Sequence, residues 1–381
     1  MIKIIYIIPT LEISGGAERI IVEKANYLSN DLGYDIIIIC LNQHDKDSNS
    51  YPLSEKVKQI NLGISYHTHY KYKYPKRLWK KIQENLHLRK VLIRTIKEIS
   101  PDILIGVSYL KADLISSIPI KAVKIFEFHE PAFLLYSEIY NGSLLSKLYA
   151  KFFYVRTIVK NADIIVTLTD EARKSLKKAK RVEVIPNFSS MPVHRFSDCT
   201  ARRVIAVGRL NKEKGFDRLI EIWETISKKY PDWQLDIFGE GSEKENLLHI
   251  IETNNVKNIS LRGSTKNISQ EYSNSSICVV TSYYEGFSLV LLEAMRHGVP
   301  CVAYDCPYGP KNIIADGESG FLVKDGEKWH IIDKICNLME DEQLRKRFSK
   351  ASIEHAKRFD TDFIMSKWKK LFEEVAKRNP R

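Results

Sequence analysis

Apolar residues in this chain fall in short unbroken runs rather than in alternation. Residues 2–8, 35–41, 102–107, 122–129, 163–168 and 181–186 each read as a continuous apolar strand. Between several of them a period near 3.6 predicts helices over 17–32, 76–99, 144–161 and 170–180. A strand with no polar alternate is buried on both faces, so strands of this kind interleaved with helices predict a parallel sheet covered on both sides. Residues 188–200 break the pattern, with Pro192, serines and no period, and read as a linker. A second series follows, with strands over 203–208, 233–239, 258–263, 277–281 and 300–305. Its helices fall at 216–230, 243–254, 269–275 and 288–297, then at 329–339 and 342–359 beyond Gly320-Phe321-Leu322-Val323. The expected fold class is α/β, with two doubly wound domains over 1–187 and 201–360 and a C-terminal amphipathic helix within 361–381. Ligands of such sheets bind beyond the carboxyl ends of the strands.

Size and composition agree with two soluble domains. A chain of 381 residues is too long for one ordinary core, and 44% hydrophobic with 28% charged residues is a globular composition. No apolar run reaches 18 residues, so no membrane-spanning helix is expected. Residues 1–9 hold one lysine, a short apolar run and no small-residue cleavage site, which favours a first core strand over a signal peptide. The six cysteines, at 40, 199, 278, 301, 306 and 336, form no CxxC and have no histidine at metal spacing. They read as reduced thiols of a cytoplasmic protein, and no metal site is expected.

The charge is uneven: residues 1–190 hold 29 Lys+Arg against 19 Asp+Glu, while the remainder is nearly balanced. Residues 66–97 hold ten basic side chains and one acid, Glu84, interleaved with tyrosines and Trp79. Leu78, Ile82, Leu86, Ile93 and Ile96 roughly keep a helical period there. Such a segment is either a helix with a solvated basic face or one that lies on an anionic membrane. Nucleic-acid binding would need a recognition element, and none is present.

Chemistry collects at five strand-to-helix turns. Gly15 and Gly16 open the first helix without a side chain in the way of an approaching ligand. Their spacing is not GxGxxG, so a nicotinamide or flavin site is not supported. In Gly208-Arg209-Leu210-Asn211-Lys212-Glu213-Lys214-Gly215, Arg209 and Lys214 bracket a loop before a helix start, and two such cations suit a diphosphate. Phe238-Gly239-Glu240-Gly241 and Leu261-Arg262-Gly263-Ser264 end the next two strands. The fifth turn, Glu285-Gly286-Phe287-Ser288-Leu289 and onward to Glu293, sets two carboxylates eight positions apart around a helix start. Each turn alone is ordinary turn chemistry, and the glutamates alone describe a solvated face. The shared location of the last four at the strand ends of one domain argues for a site.

In order, GGAER, GRLNKEKG, FGEG, LRG and EGFSLVLLEA resemble the retaining glycosyltransferases of family 4, over nearly the whole chain. The resemblance implies a GT-B fold, two Rossmann-like domains facing a cleft with the last helix returning to the first domain, and a sugar-nucleotide donor held mainly by the second. It implies that Arg209 and Lys214 bind the donor diphosphate, Glu293 the ribose and Glu285 the transferred sugar. The backbone N–H groups of Phe287, Ser288 and Leu289, after Gly286, would meet sugar or β-phosphate. Gly208, Gly239, Arg262 and Gly263 would line the nucleotide site, and Gly15 and Gly16 would approach the diphosphate. His129 matches the family's histidine that contacts the donor sugar, whereas Glu130 departs from the family's pattern. Glu18 and Arg19 either touch acceptor or form a salt pair at the helix start.

Catalytic roles then fall to Arg209, Lys214, Glu285 and His129, in a metal-independent, configuration-retaining transfer that needs no cofactor. The lean is towards UDP-hexose or UDP-N-acetylhexosamine as donor and a lipid-linked or surface-polysaccharide acceptor of capsular or lipopolysaccharide type. The enzyme would be cytoplasmic, in peripheral contact with anionic membrane through its basic first domain. The alternatives are a sugar-nucleotide 2-epimerase, an α-glucan synthase, or a non-catalytic two-domain sugar- or nucleotide-binding protein.

Overall fold

The apolar runs of the first half build a seven-stranded sheet. Its strands are β1 (Lys3–Ile8), β2 (Asp35–Cys40), β3 (Lys58–Asn61), β4 (Ile103–Val107), β5 (Val123–Phe128), β6 (Ile164–Thr167) and β7 (Val182–Val184). Their order is β3-β2-β1-β4-β5-β6-β7, and every neighbouring pair is parallel. The computed structural model describes residues 1–45, 47–65, 71–73, 75–107, 111–129 and 155–378. The chain divides into two units: Met1–Pro186 with Ile364–Arg381, and Asn187–Phe363.

In the first unit Ile5 sits between Ile37 of β2 and Leu104 of β4, and all three are buried. Leu88, Leu92 and Ile96 of the helix Lys76–Ile99 join the same core. Each fully buried Leu or Ile contributes about 1.5–3 kcal/mol, which is why uninterrupted apolar strands favour two covered faces. The last helix, Thr361–Arg378, buries Trp368 and Phe372, with Tyr34 edge-on to Phe372. Glu374 of that helix accepts from both terminal nitrogens of Arg181, at 2.7 and 2.9 Å.

The second unit carries β8 (Arg203–Val207), β9 (Gln234–Phe238), β10 (Ile259–Gly263), β11 (Ile277–Val280), β12 (Cys301–Asp305) and β13 (Gly320–Lys324). All are parallel, in the order β10-β9-β8-β11-β12-β13. Val204, Leu235, Ile237, Val279 and Val302 pack with Trp223, Phe348 and the apolar faces of the flanking helices. The direction of winding reverses between β1 and β4 in one sheet and between β8 and β11 in the other. In a doubly wound sheet the crevice forms at that reversal, beyond the strand C-termini.

Several elements differ from expectation. Strand β3, Lys-Gln-Ile-Asn, escapes an apolar-run criterion because it is a sheet edge with only Gln59 buried. The short helix Ala112–Ser116 is too brief to show a period. The helix expected over 170–180 ends at Lys174, since beyond it the basic run contributes only Leu176 to the core. Helix Val155–Asn161 covers the end of the expected 144–161, and residues 144–154 lie outside the described set.

Candidate active site

The reversal between β8 and β11 brings two loops together, and with them Lys214 and Glu285, which are 71 positions apart. Beyond β8, residues 208–211 lead into a single 3-10 turn, Lys212–Lys214, and then into the helix Phe216–Lys229. Beyond β11, residues 281–288 lead into the helix Leu289–Arg296. Gly215 has φ +61°, and a β-carbon there would stand 2.2 Å from the carbonyl oxygen of Thr281. No side chain fits such an approach, so the glycine lets the loops close on each other. They are also bonded across: Thr281 Oγ1 donates to the Gly215 carbonyl at 2.8 Å, and Tyr283 N–H to that of Glu213 at 2.9 Å. Arg218 donates to the Thr281 and Ser282 carbonyls and to Asp325, with its guanidinium against the Tyr283 ring. Gly239, with φ +149°, comes so near the Gly208 carbonyl that a β-carbon would lie 1.8 Å from that oxygen.

The ammonium of Lys214 reaches both oxygens of Glu285, at 2.9 and 3.0 Å. Ser282 Oγ donates to the same carboxylate at 2.7 Å. Glu285 is buried, so the pair attracts more strongly than it would in water, and neither charge is cheaply left alone. Arg209, half exposed, pairs with Glu213 at 3.0 Å. Burial, and then the negative Glu285, push the Cys306 thiol up to about 12, so it stays protonated and is no nucleophile.

The start of the helix Leu289–Arg296 lacks a side-chain cap. Asp341 caps its helix by accepting from Leu344 N–H at 2.8 Å, but Ser288, the residue before Leu289, makes no side-chain cap. Its hydroxyl is buried with no hydrogen-bond partner among the described residues, as is Asn211 Oδ1 in the neighbouring loop. A buried polar atom without a partner costs about 1–3 kcal/mol, which a bound ligand would relieve. Phe287 packs edge-on against Phe359, leaving its backbone rather than its ring for the loop. Glu293 is buried one turn into the helix and accepts from Tyr272 Oη at 3.2 Å. Burial, and then Glu293, hold the Tyr272 hydroxyl well above its ordinary value, so it acts there as a donor. Below it, His297 Nδ1 donates to the Glu293 carbonyl at 2.7 Å, its Nε2 lies 2.8 Å from Ser269 Oγ, which donates to the Pro192 carbonyl, and burial holds the ring's pKa below its ordinary value. Arg262, expected to line the nucleotide site, donates to the buried Asp236 at 2.8 Å, and Gly263 beside it has φ +71°.

The remaining residues singled out from sequence belong to the first unit. The helix Gly16–Asn30 starts from Gly15 in extended backbone, with the Glu18 carboxylate over that glycine. Arg19 binds Glu23 at 2.7 Å, which is not the Glu18–Arg19 pair weighed from sequence. His129, at the end of β5, is buried, with Nε2 3.1 Å from Glu127 Oε1. Neither ring nitrogen has an aligned hydrogen bond among the described residues. Glu127 is itself clamped through both oxygens by Lys24, whose ammonium lies 3.9 Å from the Trp368 ring centroid. Burial pushes the Glu127 carboxyl up, but Lys24 and then His129 pull it further down, to about 2. Glu130 lies outside the described residues.

Sequence reading missed Tyr272, Asn211, Ser282, Arg218 and the Lys24–Glu127 pair. Lys24 alone left a trace: it stands four positions from both Ile20 and Leu28, on the stripe that faces the sheet.

Known proteins carry the same organisation. The family described as glycosyltransferase family 4 matches residues 14–189, and that described as glycosyl transferases group 1 matches residues 195–355. The amylovoran biosynthesis glycosyltransferase AmsD of Erwinia amylovora is 30% identical over 380 residues, covering 97% of this chain and 99% of that protein. An uncharacterized glycosyltransferase of Haemophilus influenzae is 29% identical over 378 residues, with the same coverage. Among solved structures, a mutant of TarM from S. aureus, in complex with fondaparinux, alpha-GlcNAc-glycerol and UDP, superposes with a TM-score of 0.77 at 18% identity. That match covers 98% of this chain and all of the other. With two Rossmann-like parallel sheets of GT-B type and both family regions present, this chain is a sugar-transferring enzyme and belongs to the family 4, group 1 glycosyltransferases.

Proposed function

We propose that the chain transfers a hexose or N-acetylhexosamine from a UDP-sugar, with retention and without a metal, to a lipid-linked or growing surface-polysaccharide acceptor. The observation that carries this reading is the meeting of Lys214, Glu285 and the uncapped start of helix Leu289–Arg296 at the β8/β11 reversal. Cleaving the bond between the anomeric carbon and the β-phosphate oxygen leaves a nucleoside diphosphate with new negative charge. Lys214, Arg209 and the helix-start N–H groups would stabilise that charge, the fixed-dipole work that lowers such barriers. In retaining transfer by same-face attack, the departing phosphate takes the proton of the acceptor hydroxyl.

An arriving diphosphate would compete with Glu285 for the Lys214 ammonium, and the freed carboxylate would accept from the sugar hydroxyls. Glu293, steadied by Tyr272, would accept from the ribose. For His129 we propose the sugar contact that the family resemblance implies, supported by its buried, unaligned ring nitrogens. A uridine donor is supported by the UDP that the TarM complex holds, and a polysaccharide acceptor by the pathway in which AmsD is named. Capsular or lipopolysaccharide assembly on the inner face of the membrane is the setting that fits a basic first half.

The test is nucleotide release from a panel of UDP-, GDP- and ADP-sugars with membrane-extracted acceptors, with EDTA present. UDP release with product of unchanged anomeric configuration supports the reading. Activity lost with EDTA and restored by Mg²⁺, or turnover of UDP-N-acetylglucosamine to its 2-epimer without acceptor, refutes it.

A further inference from the structure

The described residues hold ten large hydrophobics that are solvent-exposed, and four of them lie within nine positions of one helix: Leu78, Trp79, Ile82 and Leu86. Isolated exposed hydrophobics are normal, but a cluster is not. Trp79 and Leu86 are 61% and 62% exposed, so the cluster is solvated and not a fringe of the core. At 3.6 residues per turn these four positions fall on one stripe roughly 100° wide. The helix Lys76–Ile99 is anchored by Leu88, Leu92 and Ile96, whereas no residue over 76–83 is buried. Its first two turns therefore project from the unit with an apolar stripe outward.

Charge says what meets that stripe. Lys76, Lys90 and Arg94 run along one side of it on the same wheel. The helix has two acids: Glu84, buried on the opposite side, and Glu98, which pairs with Arg94 at 2.9 Å near the far end. An apolar stripe edged by lysines matches a surface that is anionic outside and apolar beneath. A second copy would set the same lysines against each other in a two-fold contact. Among the described residues no helix is long and apolar enough to cross a membrane, so the contact would be interfacial.

We infer that the projecting turns of this helix are a docking element for an anionic lipid bilayer, with Leu78, Trp79, Ile82 and Leu86 entering the headgroup boundary and Lys76 and Lys90 on the phosphates. The inference rests on the lipid-linked acceptor proposed above, because such an acceptor is reached only from the membrane surface.

The experiment is flotation of the full chain, without donor or acceptor, with phosphatidylcholine vesicles that do or do not contain phosphatidylglycerol. The expected result is partitioning to the anionic vesicles that falls with salt, and little to the neutral ones. Lys76→Gln and Lys90→Gln should each weaken it about fivefold. Trp79→Ser with Leu86→Ser should weaken it about tenfold or more at low salt, on the order of the loss for two large apolar groups. These side chains are exposed, so the variants should keep the wild-type unfolding temperature. Absence of flotation, equal binding to neutral vesicles, or full binding by the Trp79/Leu86 variant would overturn the docking element. So would loss of a wild-type dimer in that variant with flotation unchanged. UDP titration of the same preparation separates the two readings: UDP bound without flotation sinks the docking element alone, and flotation without UDP binding sinks the donor reading alone.

Discussion

Replacing Lys214 with alanine should separate what the Lys214–Glu285 pair does for the fold from what it does for catalysis. The substitution leaves the buried Glu285 with the Ser282 hydroxyl at 2.7 Å but no countercharge. Breaking a fully buried pair costs about 3–5 kcal/mol and an exposed one about 0–1. Here the lysine side chain is 22% exposed and the glutamate 9%, so a loss of about 1–3 kcal/mol is expected, a few degrees in Tm. On the chemistry, removing one preorganised donor to a developing anion lowers kcat on the order of a hundred- to a thousandfold. Adding Glu285→Gln removes the stranded charge, so most of the stability should return while turnover stays low. Thermal unfolding and UDP release on the single and double variants form the assay. Turnover within about threefold of wild type in Lys214→Ala, or recovery of turnover together with stability in the double variant, would refute a role for this ammonium at the leaving group.

Three further perturbations test other parts of the account. Tyr272→Phe removes the hydrogen bond to Glu293 and should raise the donor KM severalfold for about 1 kcal/mol of stability; an unchanged KM would dissociate Glu293 from the donor. Lys24→Met strands Glu127 and should cost about 3–5 kcal/mol in urea unfolding, and Lys24→Met with Glu127→Leu should restore much of it. Because Glu127 titrates lower when folded than unfolded, its stabilisation is complete above about 4.5 and is lost as pH falls towards about 2. Urea midpoints of Glu127→Gln should therefore decline less steeply over that acid window, and parallel decline in wild type and variant would contradict this.

Both sheets were legible because a strand buried on two faces must be apolar throughout, as β1 and β2 are. β3 was not, because a sheet-edge strand can remain polar. Within the site, the turns announced themselves through glycine and charge at 208–215 and 285–293. The pairing of Lys214 with Glu285 was invisible, since it depends on β8 lying beside β11, a fact of strand order rather than of spacing. Tyr272 was invisible for the same reason: it reaches Glu293 from another helix. The buried Lys24 shows the converse, a charge on an apolar stripe that has meaning only once its partner, 103 positions away, is known.

The central claim is that the loops after β8 and β11 hold the diphosphate and ribose of a nucleotide donor. Calorimetric titration of UDP into the wild-type chain, Lys214→Ala and Glu293→Ala tests it most directly. The account predicts saturable binding by the wild type and at least about tenfold weaker binding by each variant, on the order of 1.4 kcal/mol or more. Equal UDP affinity in all three proteins would contradict it.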